Sequence, residues 1–182
     1  MIVCLDTNTV VQALAQHHPF HPILDAWVAG SLTWAVSTPL LVEYEEVLTR
    51  LSGPAQWRKL ARLMDLAELT RANLLRLTPS FQFRVLSADP DDNIFTDCAI
   101  TAQADYLLTE DSHFAPLAEA GYKPCPVSPQ QFIAQFIPSP APSGRPASAS
   151  SWYRIALDTN SSNAISSRKA RRGTMIAVSA LV

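Results

Sequence analysis

Residues 89–111 read DPDDNIFTDCAITAQADYLLTED, and this stretch decides the fold class. Asn93 to Ala104 predicts a helix, and Tyr106 to Leu108 predicts a short strand apolar on both faces. Acids stand before the helix and just after the strand. The chain opens with the same strand unit, since Ile2-Val3-Cys4-Leu5 is an apolar run closed by Asp6, and a helix is expected from Thr9 to Ala15. His18-Pro19-Phe20-His21-Pro22 interrupts, and Ile23, Leu24, Trp27 and Val28 then form a helical stripe closed by Gly30. Leu32 to Val36 predicts a second strand. Ser37 or Thr38 supplies an N-cap, and Pro39 in the first turn launches a helix to about Leu51. Gly53-Pro54 breaks it, and an amphipathic helix is expected from about Gln56 to Leu77, with Leu74 and Leu75 on its apolar flank. Ala115 to Ala120 reads as a short helix, Val127 as part of an edge strand, and Ser128-Pro129 as the cap of a last helix to Phe136. Strands separated by helices predict an α/β fold, a three-layer α/β/α sandwich around a central, mostly parallel sheet. Such sheets bind ligands at the carboxyl ends of their strands.

The 182 residues are 48% hydrophobic and 16% charged, enough apolar mass for one ordinary domain. Charge and composition divide the chain near Ile137. Residues 1–137 carry eight Lys and Arg against 15 Asp and Glu, whereas residues 138–182 carry six against one. Pro138 to Trp152 is almost wholly Pro, Ser, Ala and Gly, and a basic cluster (Arg168, Lys169, Arg171, Arg172) follows. Such a stretch cannot bury enough apolar surface to offset its ordering entropy, so residues 138–182 are expected to be a solvated tail. Cys4, Cys98 and Cys125 have no metal-type spacing and are odd in number, which argues against a disulfide scaffold or a zinc ribbon. No apolar run reaches the length of a membrane span, and the acid at position 6 does not fit a secretory leader. The expected setting is the cytoplasm, with no membrane partner.

The acids carry the chemistry. Residues 89–111 hold seven of them and no Lys or Arg. Carboxylates gathered without cations repel one another unless a metal ion sits among them, and oxygen donors without Cys or paired His suit Mg²⁺ or Mn²⁺. Asp6 and Asp111 follow strands, Glu43 lies one turn inside a helix among Leu40, Leu41, Tyr44 and Val47, and Asp92 opens the next helix. Asp97 stands among Ile94, Phe95, Cys98, Ala99 and Ile100, where an unpartnered carboxylate has little structural reason to be. Each also has a plainer reading: Asp6 and Asp92 as helix caps, Glu43 as part of a solvated charge run. His17, His18 and His21 read as an exposed loop. His113 reads as a phosphate contact or as a cap. No GxGxxG, P-loop or GxSxG motif is present.

In three segments the chain resembles the PIN-domain family, in particular the bacterial VapC-like toxins of type II toxin–antitoxin systems. These are Val3-Cys4-Leu5-Asp6-Thr7-Asn8, Ser37-Thr38-Pro39-Leu40-Leu41-Val42-Glu43, and Asp89-Pro90-Asp91-Asp92-Asn93 on to Asp111. The resemblance covers about residues 1–137. It implies a PIN-like nuclease domain and a Mg²⁺- or Mn²⁺-dependent endoribonuclease that cuts RNA by metal-activated water. It further implies that Asp6, Glu43, Asp92, Asp97 and Asp111 hold the metal, with either Asp92 or Asp97 as the main helix ligand. Asn8 and Thr109 match supporting positions. A cognate antitoxin protein and a homodimer are implied as partners.

Two other readings compete. A haloacid-dehalogenase-like phosphatase would want an acid where Asn8 stands and a helper Lys near the later acids, which is missing. A non-catalytic cation-binding or regulatory module, a toxin relic, would keep the acids and lose cleavage.

Overall fold

The computed structural model describes residues 1–86, 90–119, 121 and 123–137. Asp89, Ala120 and the tail 138–182, with the expectations attached to them, lie outside the described residues. Five strands occur among the described residues: β1 (Ile2–Leu5), β2 (Thr33–Ser37), β3 (Leu74–Leu77), β4 (Tyr106–Leu108) and β5 (Cys125–Val127). They form one sheet in the order β3-β2-β1-β4-β5, and every pairing is parallel. The helices are α1 (Thr7–Ala13), α2 (His21–Val28), α3 (Thr38–Ser52), α4 (Pro54–Arg71), α5 (Asn93–Thr101), α6 (Ala115–Glu119) and α7 (Pro129–Phe136). The expected α/β class and parallel sheet are therefore present.

The core follows from the apolar runs. Val3, Cys4 and Leu5 of β1, Trp34, Ala35 and Val36 of β2, and Leu107 and Leu108 of β4 are all buried. These central strands are covered on both faces, as continuous apolar strands require. α5 packs across β1, β2 and β4, while α2 joins α1 and α7. Trp27 of α2 meets Trp34 of β2 edge to face at 5.0 Å between ring centroids, which places both indoles in the core.

One element departs from the expected pattern. The helix predicted to Leu77 ends at Arg71, because Ala72 takes a left-handed conformation at φ 53°. Asn73 is buried behind it, and its amide donates to the carbonyls of Trp27 and Leu32. The chain is thereby turned into the sheet edge, where Leu74 and Leu75 pair with Trp34 and Ala35. No helix among the described residues is long and apolar enough to cross a membrane.

Candidate metal site at the switch point of the sheet

The strand order reverses direction between β1 and β4. A crevice opens at such a point, because the connections leaving the two strands run to opposite sides. Asp6 leaves β1 there, and its N–H donates to the Leu108 carbonyl at 3.1 Å, which ties the two strand ends together. On the other side Tyr44, buried on α3, donates its hydroxyl to the Leu5 carbonyl just before Asp6. A cleft of about 350 Å³ lies over this junction, lined by Asp6, Asn8, Thr9, Gln12, Glu110, Asp111 and Ser112.

Each acid is positioned by its neighbours. Asp6 caps α1, accepting the Thr9 N–H at 2.6 Å, so the capping and the cleft readings hold together. Burial pushes its carboxyl above the ordinary aspartate range, and the Asp111 charge adds to the rise; hydrogen bonds from Thr109 and Thr9 oppose it. Glu43 accepts the Thr7 hydroxyl and is half-buried. Burial raises its carboxyl too, and the charges of Asp6, Glu46 and Asp91 reinforce the rise. Asp111 starts a 3₁₀ turn (Ser112–Phe114) by accepting the His113 N–H at 2.8 Å. Thr109 joins the set, since its hydroxyl oxygen accepts the Asp111 N–H at 2.9 Å while also bonding Asp6.

Asp92 precedes α5, yet its side chain makes no capping hydrogen bond to that helix. Asp92, Asp111 and His113 instead offer ligand atoms that all lie within 4.8 Å of one another. The sequence alone offers His113 as a phosphate contact or a cap. Its ring Nδ1 stands 3.3 Å from Asp111 Oδ1. The Asp-x-His spacing after β4 is the signal that could have promoted it.

Asp97 goes elsewhere. It is buried, but Oδ1 accepts the Phe83 N–H at 2.7 Å, so the carboxylate has the partner that the sequence did not reveal. It lines two cavities under residues 78–86 and does not line the cleft of Asp6 and Asp111. Asp105 is also set apart, below the amino end of β4, where it accepts the Ile2 N–H at 2.8 Å and pairs with Lys123. That pairing holds its carboxyl below the ordinary range.

The donor set suits a hard divalent cation. Among the described residues no Lys or Arg pairs with Asp6, Glu43 or Asp111, and two of these carboxyls are held up by burial and mutual repulsion. A cation would relieve that repulsion, and carboxylate oxygens with one imidazole fit Mg²⁺ or Mn²⁺.

Among solved structures, the chain is similar to the VapBC2 complex from Rickettsia felis bound to a DNA fragment from its promoter. The identity is 18% and the TM-score 0.47, over 70% of this chain and 98% of that one. No curated protein matches the chain. The PIN domain pattern matches residues 2–113. That span runs from β1 through β4 and includes every acid of the cleft, and on it the chain belongs to the PIN-domain family.

Proposed function

We propose that the protein is a metal-dependent endoribonuclease, the toxin of a type II toxin–antitoxin pair. The observation that carries the reading is the convergence of Asp6, Asp92, Asp111 and His113 at the crevice of a parallel sheet, with Glu43 held nearby by Thr7. Asp6, Glu43, Asp92 and Asp111 would hold the ion. When bound, Mg²⁺ or Mn²⁺ supplies positive charge to a phosphodiester and lowers the pKa of a water molecule. The chain's own groups prepare the site. Thr109 orients Asp6 and Asp111 together, Thr7 orients Glu43, and the exposed Asn8 amide on the cleft can donate to a phosphate oxygen. No side-chain nucleophile is required by that chemistry.

An antitoxin and a second copy of the chain are the proposed protein partners, in the cytoplasm. Val42 and Leu51 on α3 and Leu69 on α4 are 59%, 61% and 85% exposed, which supports a protein contact on that helical pair. The test of the activity is cleavage of a mixed single-stranded RNA pool with Mn²⁺ or Mg²⁺ and its loss in EDTA. Absence of both cleavage and calorimetric divalent binding would overturn the reading.

Asp97 is proposed here as a positioning residue for the loop before α5. Its amide analogue still offers Oδ1 to the Phe83 N–H, whereas alanine does not. Asp97→Asn is therefore expected to stay within about threefold of wild-type cleavage, while Asp97→Ala loses about tenfold or more, of the order of one buried hydrogen bond. Equal and complete loss in both variants, with metal binding abolished, would return Asp97 to the ligand set.

A further inference from the structure

The segment between β3 and α5 is fixed to α5 by two side chains, yet it turns two phenyl rings toward solvent. Asn93 holds Leu86 from both sides, donating to its carbonyl at 2.8 Å and accepting its N–H at 2.9 Å. Asp97 holds the Phe83 N–H. Three main-chain groups of one loop are thus pinned to one helix. Phe81 and Phe83 nevertheless remain 64% and 40% exposed, with ring centroids 5.1 Å apart, edge to face. Burying a phenyl ring is worth roughly 1.5–3 kcal/mol, so a fixed loop that leaves two rings in water points to a partner with flat apolar faces. Arg84, next in the chain, is exposed and has no ion-pair partner among the described residues. It is also the only Lys or Arg between Arg76 and Lys123.

The position of this surface gives it meaning. Beneath Gln82 and Arg84 lies a cavity of about 530 Å³ walled by Pro90 and Asn93, the residues that bracket Asp91 and Asp92. A neighbouring cavity under Phe81 reaches Pro39, one helical turn before Glu43 on the same side of α3. Phe81 thus lines a cavity that reaches the first turn of α3, the helix that carries Glu43, and Arg84 lines one whose wall flanks Asp92 in the chain.

We infer that Phe81, Phe83 and Arg84 form a platform for the unpaired bases of single-stranded RNA beside the bond to be cut. The phenyl rings stack on base faces, and the guanidinium takes a backbone phosphate. This inference rests on the ribonuclease reading. Two exposed aromatic faces with an exposed guanidinium next to them in the chain match the alternating bases and phosphates of a single strand, and Arg84 supplies the positive charge for the phosphate. A duplex keeps its bases stacked internally and offers the rings nothing.

The test is fluorescence anisotropy with the full chain in EDTA, so that nothing is cut and binding is read apart from chemistry. Three probes are used: a single-stranded RNA, the same strand with consecutive abasic positions, and the corresponding duplex. Stacking is worth about 1–3 kcal/mol per base, so the wild type is expected to prefer the intact single strand to the abasic one by about tenfold or more. Phe81→Ala/Phe83→Ala should erase that preference, and Phe81→Tyr/Phe83→Tyr should restore it. Arg84→Ala should weaken both single strands alike and lower the salt slope by about one. The inference is overturned if the wild type shows no preference for the intact strand, or if the double alanine variant keeps it. Unchanged RNA binding with lost inhibition by the purified antitoxin would assign the surface to that protein instead. Base-dependent binding by a wild type that cuts no RNA with any divalent ion would leave the platform standing and remove the ribonuclease reading.

Discussion

Asp6→Asn is expected to lower metal-dependent RNA cleavage by about a thousandfold or more, while leaving the fold intact. The first half follows from charge. The substitution removes a full negative charge from the crevice, and loss of a metal's several kcal/mol of charge stabilisation translates to three or more powers of ten in rate. The second half follows from geometry. Asp6 caps α1 through one oxygen on the Thr9 N–H, and asparagine caps a helix as well as aspartate does. The amide also carries no charge to be buried beside Asp111. The urea midpoint without metal should accordingly be no lower than that of the wild type at neutral pH. Initial rates with saturating Mn²⁺ and denaturation in EDTA check both halves. A rate within tenfold of wild type would remove Asp6 from the metal site.

Divalent ions should stabilise the protein strongly at neutral pH and weakly in mild acid. Asp6 and Glu43 both have carboxyls raised by burial and by neighbouring charges. A raised folded-state pKa means that the folded chain holds its proton more tightly than the unfolded chain. The stability these two groups contribute is present in full below the ordinary carboxyl range, near pH 4, and is lost as pH rises through their raised values. The metal-free protein therefore loses part of its stability on the way to neutrality. A cation binds the deprotonated carboxylates and recovers it. At about a hundred times its Kd, a ligand adds about 2.7 kcal/mol, which for a domain of this size is about 5–10 °C in Tm. Thermal denaturation in Mn²⁺ against EDTA, at about pH 5 and about pH 7.5, should give a clearly larger rise at the higher pH. Asp6→Asn should lose most of that rise. A shift of equal size at both pH values, or one unchanged in the variant, would show that the ion binds elsewhere.

How much of this was legible depends on the kind of interaction involved. β1 and β4 announce themselves because a short strand buried on both faces must be apolar throughout, and Ile2–Leu5 and Tyr106–Leu108 are. Asp6 and Asp111 followed, since a parallel sheet places its crevice just beyond those strands. β3 was not legible. Leu74-Leu75-Arg76-Leu77 fits a helical flank as well as a strand, and the turn that separates it from α4 is made by Ala72 rather than by a glycine. Asp92 and Asp97 could not be told apart because both readings depended on what each carboxylate touches. The Phe83 N–H that claims Asp97 lies 14 residues away in an irregular loop and leaves no periodic trace. The clamp of Asn93 on Leu86 is hidden for the same reason.

The stitch between the Asp6 N–H and the Leu108 carbonyl has a consequence for how the protein comes into being. Helices form from contacts close in sequence, whereas the pairing of β1 with β4 closes one of the longest loops of the domain and belongs to the slow part of folding. Asp6 has no Asp111 opposite it until that loop is shut. A nascent or partly folded chain carries one half of the cleft and lacks the other. Under the ribonuclease reading, an unfinished molecule spares the messages and ribosomes that are making it, and the ability to cut arrives together with completion of the fold.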